Sequence, residues 1–344
     1  MLDILPTVDT WLADKEQVAL ATVTKTWGSA PRREGAKMAV KTDLAMIGSV
    51  SGGCIEGAVI EEALDALKSH NPRLLSFGVA DDTAWEVGLT CGGRVNVFVE
   101  ALDSDWWQLI KTRTENNLPT KTITILDGNL AGQKVVFDEQ NRVLYKTPKL
   151  SDEHILAFAE LASNTHQSRQ ITWQDIELML DVLNPRPHLI LIGGVHIAIP
   201  LQAMAQMMGF RVSLIDPRKA FATAERFPDV ENISHEYPTK ALQQLGLDSS
   251  TYVAVLTHDP KIDDQALITA LPANIPYIGV LSSRKTHEKR ITRLREAGIS
   301  DDLMQQIHTP IGIDLGGMTP EDIALGIMAE IIAVRNGIRD EIAR

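Results

Sequence analysis

The second half of the chain alternates short apolar segments with stretches of helical periodicity. The apolar segments lie at 188–192, 211–215, 251–256 and 277–281. Strands that are apolar on both faces and alternate with helices are typical of a parallel sheet covered on both sides. The pattern predicts an α/β domain with a Rossmann-like, doubly wound parallel sheet.

A last helix is predicted after residue 319. Thr319 is a favoured N-cap residue, Pro320 suits the first turn, and Glu321 complements the positive helix end. Helical spacing relates the apolar residues that follow, namely Ile323, Ile327, Ile331, Val334 and Ile338. This long apolar face favours a homodimer.

The first half is less regular and predicts a mixed α+β domain. A helix is predicted at 55–68, and the predicted strands are 18–25, 37–40, 94–100, 122–126, 134–137 and 142–145. The motif Asn184-Pro185-Arg186-Pro187 predicts an extended connector, because each proline restricts its own φ and the residue before it. We therefore expect an N-terminal domain at 1–150, a bridging segment at 151–185 and a C-terminal domain at 186–344.

Composition narrows the classes of function. The 344 residues carry a formal net charge of −12, which disfavours binding to nucleic acid or anionic membranes because both need positive potential. The acidic start lacks the pattern of a leader peptide, and the most apolar stretch, 189–201, is too short to span a bilayer. We expect a cytoplasmic protein that binds neither nucleic acid nor membrane.

A glycine-rich turn follows the first strand of the predicted parallel sheet. Gly193 and Gly194 occupy the position of a dinucleotide phosphate turn, and Asp216 ends the next strand, where an acid binds ribose hydroxyls. However, Val195 stands where the backbone would have to approach a pyrophosphate. The turn predicts the fold, while binding of NAD or NADP stays an alternative to binding another ligand or none.

Both cysteines stand in glycine-rich loops. Cys54 precedes a predicted helix, whose free N–H groups and dipole favour a thiolate, and Cys91 precedes a predicted strand. The adjoining glycines are Gly52, Gly53, Gly92 and Gly93. One interpretation is a shared site for a soft ligand such as a metal, a sulfur atom or a dithiolene. The other is a pair of small buried residues at tight turns. No histidine or cysteine stands at structural-zinc spacing, so we expect no zinc site.

Two further candidates follow later strands. His258 would be a proton-transfer group at the carboxyl end of a strand, or else the adjoining Asp259 or Asp263 simply caps the next helix. Ser283 and Arg284 open a helix, where a hydroxyl, a guanidinium and a helix start together suit a phosphate.

Two groups of basic residues remain. The helix predicted at 285–297 carries a basic run, which forms either a solvated face or a docking surface for an acidic partner; its members are Lys289, Arg290, Arg293 and Arg295. Arg32, in the turn at 26–33, either points at a ligand or lies on the surface.

Taken in order, these motifs resemble the XdhC/CoxF family. The N-terminal motifs are Gly28-Ser29 with Pro31-Arg32, Gly35-Ala36-Lys37-Met38, Gly52-Gly53-Cys54-Ile55-Glu56 and Cys91-Gly92-Gly93. The C-terminal motifs are Gly193 to Ala198, Asp216-Pro217-Arg218, Arg226-Phe227-Pro228, Thr257-His258-Asp259, Ser283-Arg284, and Pro310 to Gly317 followed by Thr319-Pro320-Glu321. The resemblance covers most of the chain. Val195, and Ser282 before Ser283-Arg284, replace glycines that are common in the family.

The resemblance implies an accessory factor for xanthine dehydrogenase or a related molybdenum hydroxylase. It implies that the chain binds the molybdenum cofactor, as molybdopterin or its cytosine dinucleotide, and assists its sulfuration and delivery to the apoenzyme. A cysteine desulfurase-type sulfur donor would be a second partner. Cys54 and Cys91 would then be ligands of the cofactor or of sulfur, and the loops at Gly193 and Ser283-Arg284 would hold a phosphate or nucleotide part.

Two other hypotheses stay open. The first is an NAD- or NADP-dependent oxidoreductase that uses the Rossmann-like domain, with His258 as proton donor. The second is an adaptor without a small-molecule ligand, whose basic helix at 285–295 contacts an acidic partner; charge reversal at Arg290 and Arg293 would test it.

Overall fold

The computed structural model describes residues 1, 3–28, 32–78, 93–165 and 167–338, apart from the side chain of Arg284. The chain divides into two compact units, Met1–Pro185 and Arg186–Arg344. The division falls within the proline motif that predicts an extended connector. Among the described residues, no helix combines the length and the apolarity that crossing a bilayer requires.

The first sheet of the N-terminal unit is antiparallel. Its strands are β1 (Val18–Trp27), β2 (Lys37–Lys41), β3 (Met46–Gly48), β4 (Arg73–Phe77) and β5 (Arg94–Ala101). In the described part of the chain their order is β3-β2-β1-β5-β4. Helix α1 (Leu5–Ala13) precedes β1, and α2 (Glu56–Ser69) buries Val59, Ala63 and Leu67 against this sheet. The loop between β3 and α2 contains Cys54.

A second antiparallel sheet completes this unit. Its strands are β6 (Thr120–Ile125), β7 (Lys134–Phe137), β8 (Val143–Lys146), β9 (Arg169–Trp173) and β10 (Ile176–Leu183), in the order β8-β7-β6-β10-β9. Helix α3 (Ser104–Glu115) precedes β6, and α4 (Asp152–Ser163) precedes β9. The segment 151–185 is therefore a helix and two strands of the first unit, where the sequence predicted a bridge. It folds into the unit because β10 pairs with β6 and buries Leu178 and Leu180 beside Phe158 of α4.

Buried ion pairs join the two sheets of the first unit. Lys37 Nζ of β2 lies 2.7 Å from Asp181 Oδ2 of β10, and their side chains are 3% and 6% exposed. Lys134 Nζ of β7 lies 2.6 Å from Glu100 Oε1 of β5. A cavity of about 20 Å³ beside the Lys37–Asp181 pair is lined by Lys37, Asp181 and Glu100 among others. Such a volume holds about one water molecule.

The second unit contains a parallel sheet. Its strands are β11 (His188–Ile192), β12 (Arg211–Ile215), β13 (Asn232–Ser234), β14 (Thr251–Val255), β15 (Tyr277–Val280) and β16 (Ile307–His308). The order β13-β12-β11-β14-β15-β16 is that of a Rossmann fold, 3-2-1-4-5-6. The helices are α5 (Ala198–Met207), α6 (Pro238–Leu245), α7 (Pro260–Ala270), α8 (Arg284–Glu296), α9 (Asp301–Met304) and α10 (Pro320–Arg335). The predicted fold class is confirmed.

Helix α10 begins as its sequence predicts. The Thr319 hydroxyl accepts a hydrogen bond from Asp322 N, and the Asp322 carboxylate accepts one from Thr319 N. Ile327 and Ile331 are fully buried, in one cluster with Leu201 of α5. The apolar face of this helix therefore packs inside its own unit, and it gives no support to the homodimer that the sequence predicted.

Candidate functional site

The loop that carries Cys54 encloses a carboxylate. Glu56, the first residue of α2, turns back so that its two carboxylate oxygens face the loop between β3 and the helix. The backbone donors are the N–H groups of Val50 at 3.2 Å, Ser51 at 2.9 Å, Gly52 at 3.0 Å and Gly53 at 2.9 Å. The hydroxyl donors are Ser49 at 2.7 Å and Ser51 at 2.5 Å. The loop is a nest of donors whose anion is a side chain of the protein.

This arrangement changes the prediction made for Cys54. The backbone N–H of Cys54 donates to the Ser51 hydroxyl at 3.1 Å, and the N–H of Ile55 does the same at 3.1 Å. The N–H groups that were expected to be free beside the thiol are thus taken by Glu56 and Ser51. The prediction of free N–H groups was wrong because the first acid of the helix reaches back to them.

The enclosure of Glu56 stabilises its charged form. Burial raises the pKa of this carboxyl, but the hydrogen bonds from Ser51, Ser49 and the loop backbone outweigh it and lower the pKa to about 2. Gly52 and Gly53 have φ of +88° and +121°, which side chains rarely tolerate. The loop conformation therefore depends on both the glycines and the acid.

The approach to Cys54 is lined by residues without side chains. Gly52, Gly53 and Gly57 are exposed, and a Cβ built on Gly53 or Gly57 would meet no atom within 4 Å. Cys54 is partly exposed and packs beside the core of the first sheet. Arg32 lies at the same loop, since its Nε donates to Ser49 O at 3.1 Å.

The second cysteine loop is described only at its end. Cys91 and Gly92 lie outside the described residues, and Gly93 is buried immediately before β5. A site shared by Cys54 and Cys91 stays a prediction. Among the described residues, no three histidine, cysteine or acidic side chains are grouped so as to hold a metal ion.

The glycine turn of the second unit lies where the strand order reverses, between β11 and β14. A Cβ on Gly193 would stand 2.4 Å from Thr257 Cγ2, and one on Gly194 would stand 2.2 Å from Phe221 O. Val195 packs against the core of the unit. Both glycines are therefore needed because neighbouring segments of the protein approach them closely.

The Asp216 carboxylate is bound by Gly194 and Arg218 of its own unit. It is fully buried, and its carboxylate accepts hydrogen bonds from Gly194 N at 2.9 Å and from Arg218 N, Nε and Nη2 at 2.9, 2.9 and 2.8 Å. Burial raises the pKa of Asp216, but these bonds outweigh it and hold the pKa below its usual value. Arg218 also lies over the Phe221 ring at 4.2 Å. Binding of a ribose by Asp216, as predicted, would require this pair to separate.

The loop after β14 holds His258 at the surface. His258 is exposed with a φ of +64°, and the Asp259 carboxylate caps α7 by accepting a hydrogen bond from Lys261 N at 2.9 Å. Asp263 is fully buried and accepts hydrogen bonds from the Thr257 hydroxyl and from Arg290 Nη2. Burial raises the pKa of Asp263, although both of these partners lower it. Of the two acids, Asp259 is the cap.

Helix α8 begins at the predicted phosphate loop. The Ser283 hydroxyl accepts a hydrogen bond from Thr286 N at 3.3 Å, and Arg284 is the first helical residue. Arg290 is 2% exposed and pairs with Asp263, while Arg293 pairs with Asp264. Arg290 is too deeply buried to contact an acidic partner, whereas Lys285, Lys289 and Arg295 of the same helix are exposed, so a docking surface on this helix stays a prediction.

Sequence reasoning missed the residues that organise these loops. No local signature marks Glu56, because a capping box requires a serine or threonine three residues earlier, where Gly53 stands, and the N-cap of α2 is Ile55. Glu330 of α10 binds Tyr277 Oη at 2.6 Å, His308 Nδ1 at 3.0 Å and Gly312 N at 2.8 Å. No local sequence pattern predicts these three hydrogen bonds of Glu330, because its partners lie far from it in the sequence.

Comparison with known proteins identifies the family. The family model described as "XdhC and CoxI family" matches residues 11–78, and the "XdhC Rossmann domain" matches residues 189–331. One model therefore falls in each unit.

The chain is similar to three curated proteins over most of its length. A probable xanthine dehydrogenase subunit of Bacillus subtilis is 25% identical over 338 residues, covering 96% of this chain and 97% of that protein. "Molybdenum cofactor insertion chaperone PaoD" of Escherichia coli is 26% identical over 318 residues, covering 92% and 83%. "Uncharacterized protein YqeB" of Escherichia coli is 25% identical over 319 residues, although the match spans only 43% of that longer protein.

A solved structure shares the fold. The crystal structure of a xanthine dehydrogenase from Bacillus halodurans superposes with a TM-score of 0.78 at 20% identity, covering 98% of this chain and 96% of that chain. Because matched models occupy both units in the order that the sequence motifs indicate, the chain belongs to the XdhC/CoxF family.

Proposed function

We propose that this chain binds the molybdenum cofactor and assists its sulfuration and its insertion into a molybdenum hydroxylase such as xanthine dehydrogenase. Relatives named as part of a xanthine dehydrogenase and as a molybdenum cofactor insertion chaperone support an accessory, maturation role. The observation that carries the proposal is the match to PaoD, which extends over 318 residues and so includes both units. The partners would be the apo hydroxylase and a cysteine desulfurase-type sulfur donor, in the cytoplasm.

In this proposal Cys54 and Cys91 are ligands of the cofactor or of its sulfur. Thiolates are soft ligands that suit a molybdenum dithiolene or a sulfur atom in transfer. The position of Cys54 supports this role, since the thiol is partly exposed and three exposed glycines leave its surroundings open. Arg32, close to the same loop, would bind an anionic part of the cofactor. The glycines of both cysteine loops, including Gly92 and Gly93, would let the cofactor approach the loop backbone closely.

The second unit would hold the phosphate part of the cofactor. Ser283 and Arg284 stand at the start of a helix, which is a general anion-binding position. Gly193 and Gly194 lie at the reversal of strand order, where ligands of such sheets bind. Arg218 is partly exposed beside them. This role suits either molybdopterin or its cytosine dinucleotide, because both carry phosphate.

Anaerobic titration with molybdenum cofactor tests the role of the thiols. We expect tight, stoichiometric binding to the wild type and affinity reduced by at least about tenfold in Cys54→Ser and in Cys91→Ser, the lower end of what losing even an outer-shell partner of a metal costs. Leu156→Ser, at a position of α4 that is 74% exposed, is the control and should bind like the wild type.

Two results would count against the proposal. Absence of binding to the folded wild type would remove the carrier function. Binding that both serine variants retain would leave the carrier function in place but make the cysteines structural residues. Activation of an apo hydroxylase by each variant, measured in parallel, separates binding from delivery.

The oxidoreductase hypothesis predicts that NAD or NADP binds the second unit and stabilises the protein, whereas the proposed function does not. A ligand present at about 100 times its dissociation constant adds about 2.7 kcal/mol to the free energy of unfolding. We expect neither nucleotide to raise the melting temperature at millimolar concentration, because Asp216 is occupied by Gly194 N and Arg218. A concentration-dependent rise with either nucleotide would revive that hypothesis.

A further inference from the structure

Polar atoms without partners are enclosed along one face of α8. Arg290 Nε, Arg290 Nη1 and His287 Nδ1 have no hydrogen-bond partner among the described residues. Asp264 Oδ1 is 3.9 Å from Arg290 Nε, too far for a hydrogen bond. An enclosed donor without an acceptor is unfavourable, and guanidinium groups are almost always bonded when they are buried.

The Arg290 guanidinium lies at the carboxyl edge of the parallel sheet. Its Nη2 donates to Asp263 Oδ2 at 3.0 Å, and the other oxygen of that carboxylate accepts a hydrogen bond from Thr257, which follows β14. Side chains on a helix lean toward its N-terminus, so the first turn of α8 lies in the direction in which an arginine at position 290 is expected to extend. His287 stands one turn nearer that end. Burial lowers the pKa of His287, and the positive charge of Arg290 lowers it further.

The start of α8 adds further donors in the same direction. Backbone N–H groups in a first helical turn lack acceptors within the helix, and the dipole there favours an anion. The Ser283 hydroxyl at the N-cap is bonded to Thr286 N and Thr286 Oγ1, so the donors there are the first two N–H groups of the helix, and the exposed Lys285 adds positive charge. On α7, Asp264 is already bound by Arg293, so its charge is offset.

We propose that Arg290 and His287, together with the first turn of α8, bind a phosphate group. The planar guanidinium would present Nε and Nη1 to two phosphate oxygens while Nη2 keeps its bond to Asp263. The inference rests on the proposed function, because the ligand there would be the phosphate of the cofactor. It extends the predicted loop at Ser283 and Arg284 by two residues that stand about one and two turns further along the same helix.

Calorimetric titration of the full-length protein with inorganic phosphate and with pyrophosphate tests this site. Arg290→Lys keeps a cation beside Asp263 but removes the forked donors, and we expect it to weaken binding of the tighter probe about ten- to a hundredfold. Arg293→Lys, which changes the neighbouring arginine that is bound to Asp264, is the matched control and should bind like the wild type. His287→Leu, which leaves the ion pair untouched, should weaken binding as well.

Each outcome decides the proposal. Tighter binding of pyrophosphate than of phosphate would indicate the dinucleotide form of the ligand, and equal binding would indicate a phosphate monoester. Absence of binding to the wild type would mean that water satisfies Arg290, and equal weakening in the control would mean diffuse attraction only. If Arg290→Lys fails to fold, unchanged affinity in His287→Leu overturns the site. Because neither probe contains molybdenum, the result is independent of the test with the cysteine variants.

Discussion

Replacing Asp181 by asparagine is expected to lower the free energy of unfolding of the first unit by about 3–5 kcal/mol. The change preserves the shape of the side chain but leaves the Lys37 ammonium buried without a counter-ion. Among the described residues, the Lys37 ammonium has one other hydrogen bond, to the Thr22 hydroxyl at 3.2 Å, and this neutral partner cannot replace a carboxylate. Water in the adjoining cavity of about 20 Å³ offers limited compensation.

Urea unfolding followed by tryptophan fluorescence measures this loss, since all six tryptophans precede Pro185 and so report on the first unit. Lys146 Nζ lies 3.8 Å from Asp152 Oδ1 in an exposed pair of the same unit, so Lys146→Ala should cost less than about 1 kcal/mol. The double variant Lys37→Met with Asp181→Leu removes both charges and should recover most of the loss. A loss below about 1 kcal/mol in Asp181→Asn, the size typical of an exposed pair, would show that the pair is hydrated in solution.

Replacing Glu56 by glutamine is expected to cost about 2–4 kcal/mol, because an amide NH₂ would face hydrogen-bond donors and leave several of them unmet. The Cys54 loop would lose the acceptor that holds its backbone together. We therefore expect faster hydrogen exchange at residues 50–53 and weaker binding of the molybdenum cofactor. Glu61→Gln, at an exposed position of the same helix, is the control and should behave like the wild type.

The effect of Glu56 should depend on pH. Its pKa falls from 4.5 to about 2 on folding, so the unfolded chain binds this proton more tightly. The stabilisation is thus fully present above the unfolded pKa and is lost as the pH falls from about 4.5 to about 2. Unfolding curves of wild type and Glu56→Gln should differ at pH 6 and should converge on acidification, as far as both proteins remain folded. A difference that does not change with pH would refute this account of the loop.

Local patterns were sufficient for the second unit. The strands predicted at 188–192 and 211–215 appear at those residues, and Thr319 and Pro320 begin the last helix as predicted. Strands of a parallel sheet are buried on both faces, so their apolar runs can be recognised in the sequence without knowing which strands pair with them. Helix N-caps can be recognised in the sequence because the N-cap side chain accepts a hydrogen bond from a backbone N–H only two or three residues away. The sequence by itself therefore determined the Rossmann-like fold and, through its ordered motifs, the family.

Two strands of the second sheet of the first unit, β9 and β10, were not predicted, although β6, β7 and β8 were. Gln174 and Asp175 form the turn between β9 and β10 with φ of +47° and +63°. Such two-residue turns favour Asn-Gly, Asp-Gly or Gly-Gly, so the pair Gln174-Asp175 does not mark a hairpin in the sequence. The strand pairing of β10 with β6, far apart in the chain, had to stabilise the turn. The predicted bridge at 151–185 became part of the sheet for this reason.

The chemistry of the candidate sites was decided by tertiary structure. Glycine loops and acids at the ends of strands predicted where ligands would bind, but not which polar groups were already bonded to one another. The Glu56 carboxylate accepts hydrogen bonds from the backbone of the loop that carries Cys54. Arg218 donates hydrogen bonds to Asp216, and Arg290 donates one to Asp263. The sequence determines the positions along the chain at which charges and donors stand. Which of them remain available to a ligand depends on hydrogen bonds of about 3 Å, and only the folded chain brings their partners together.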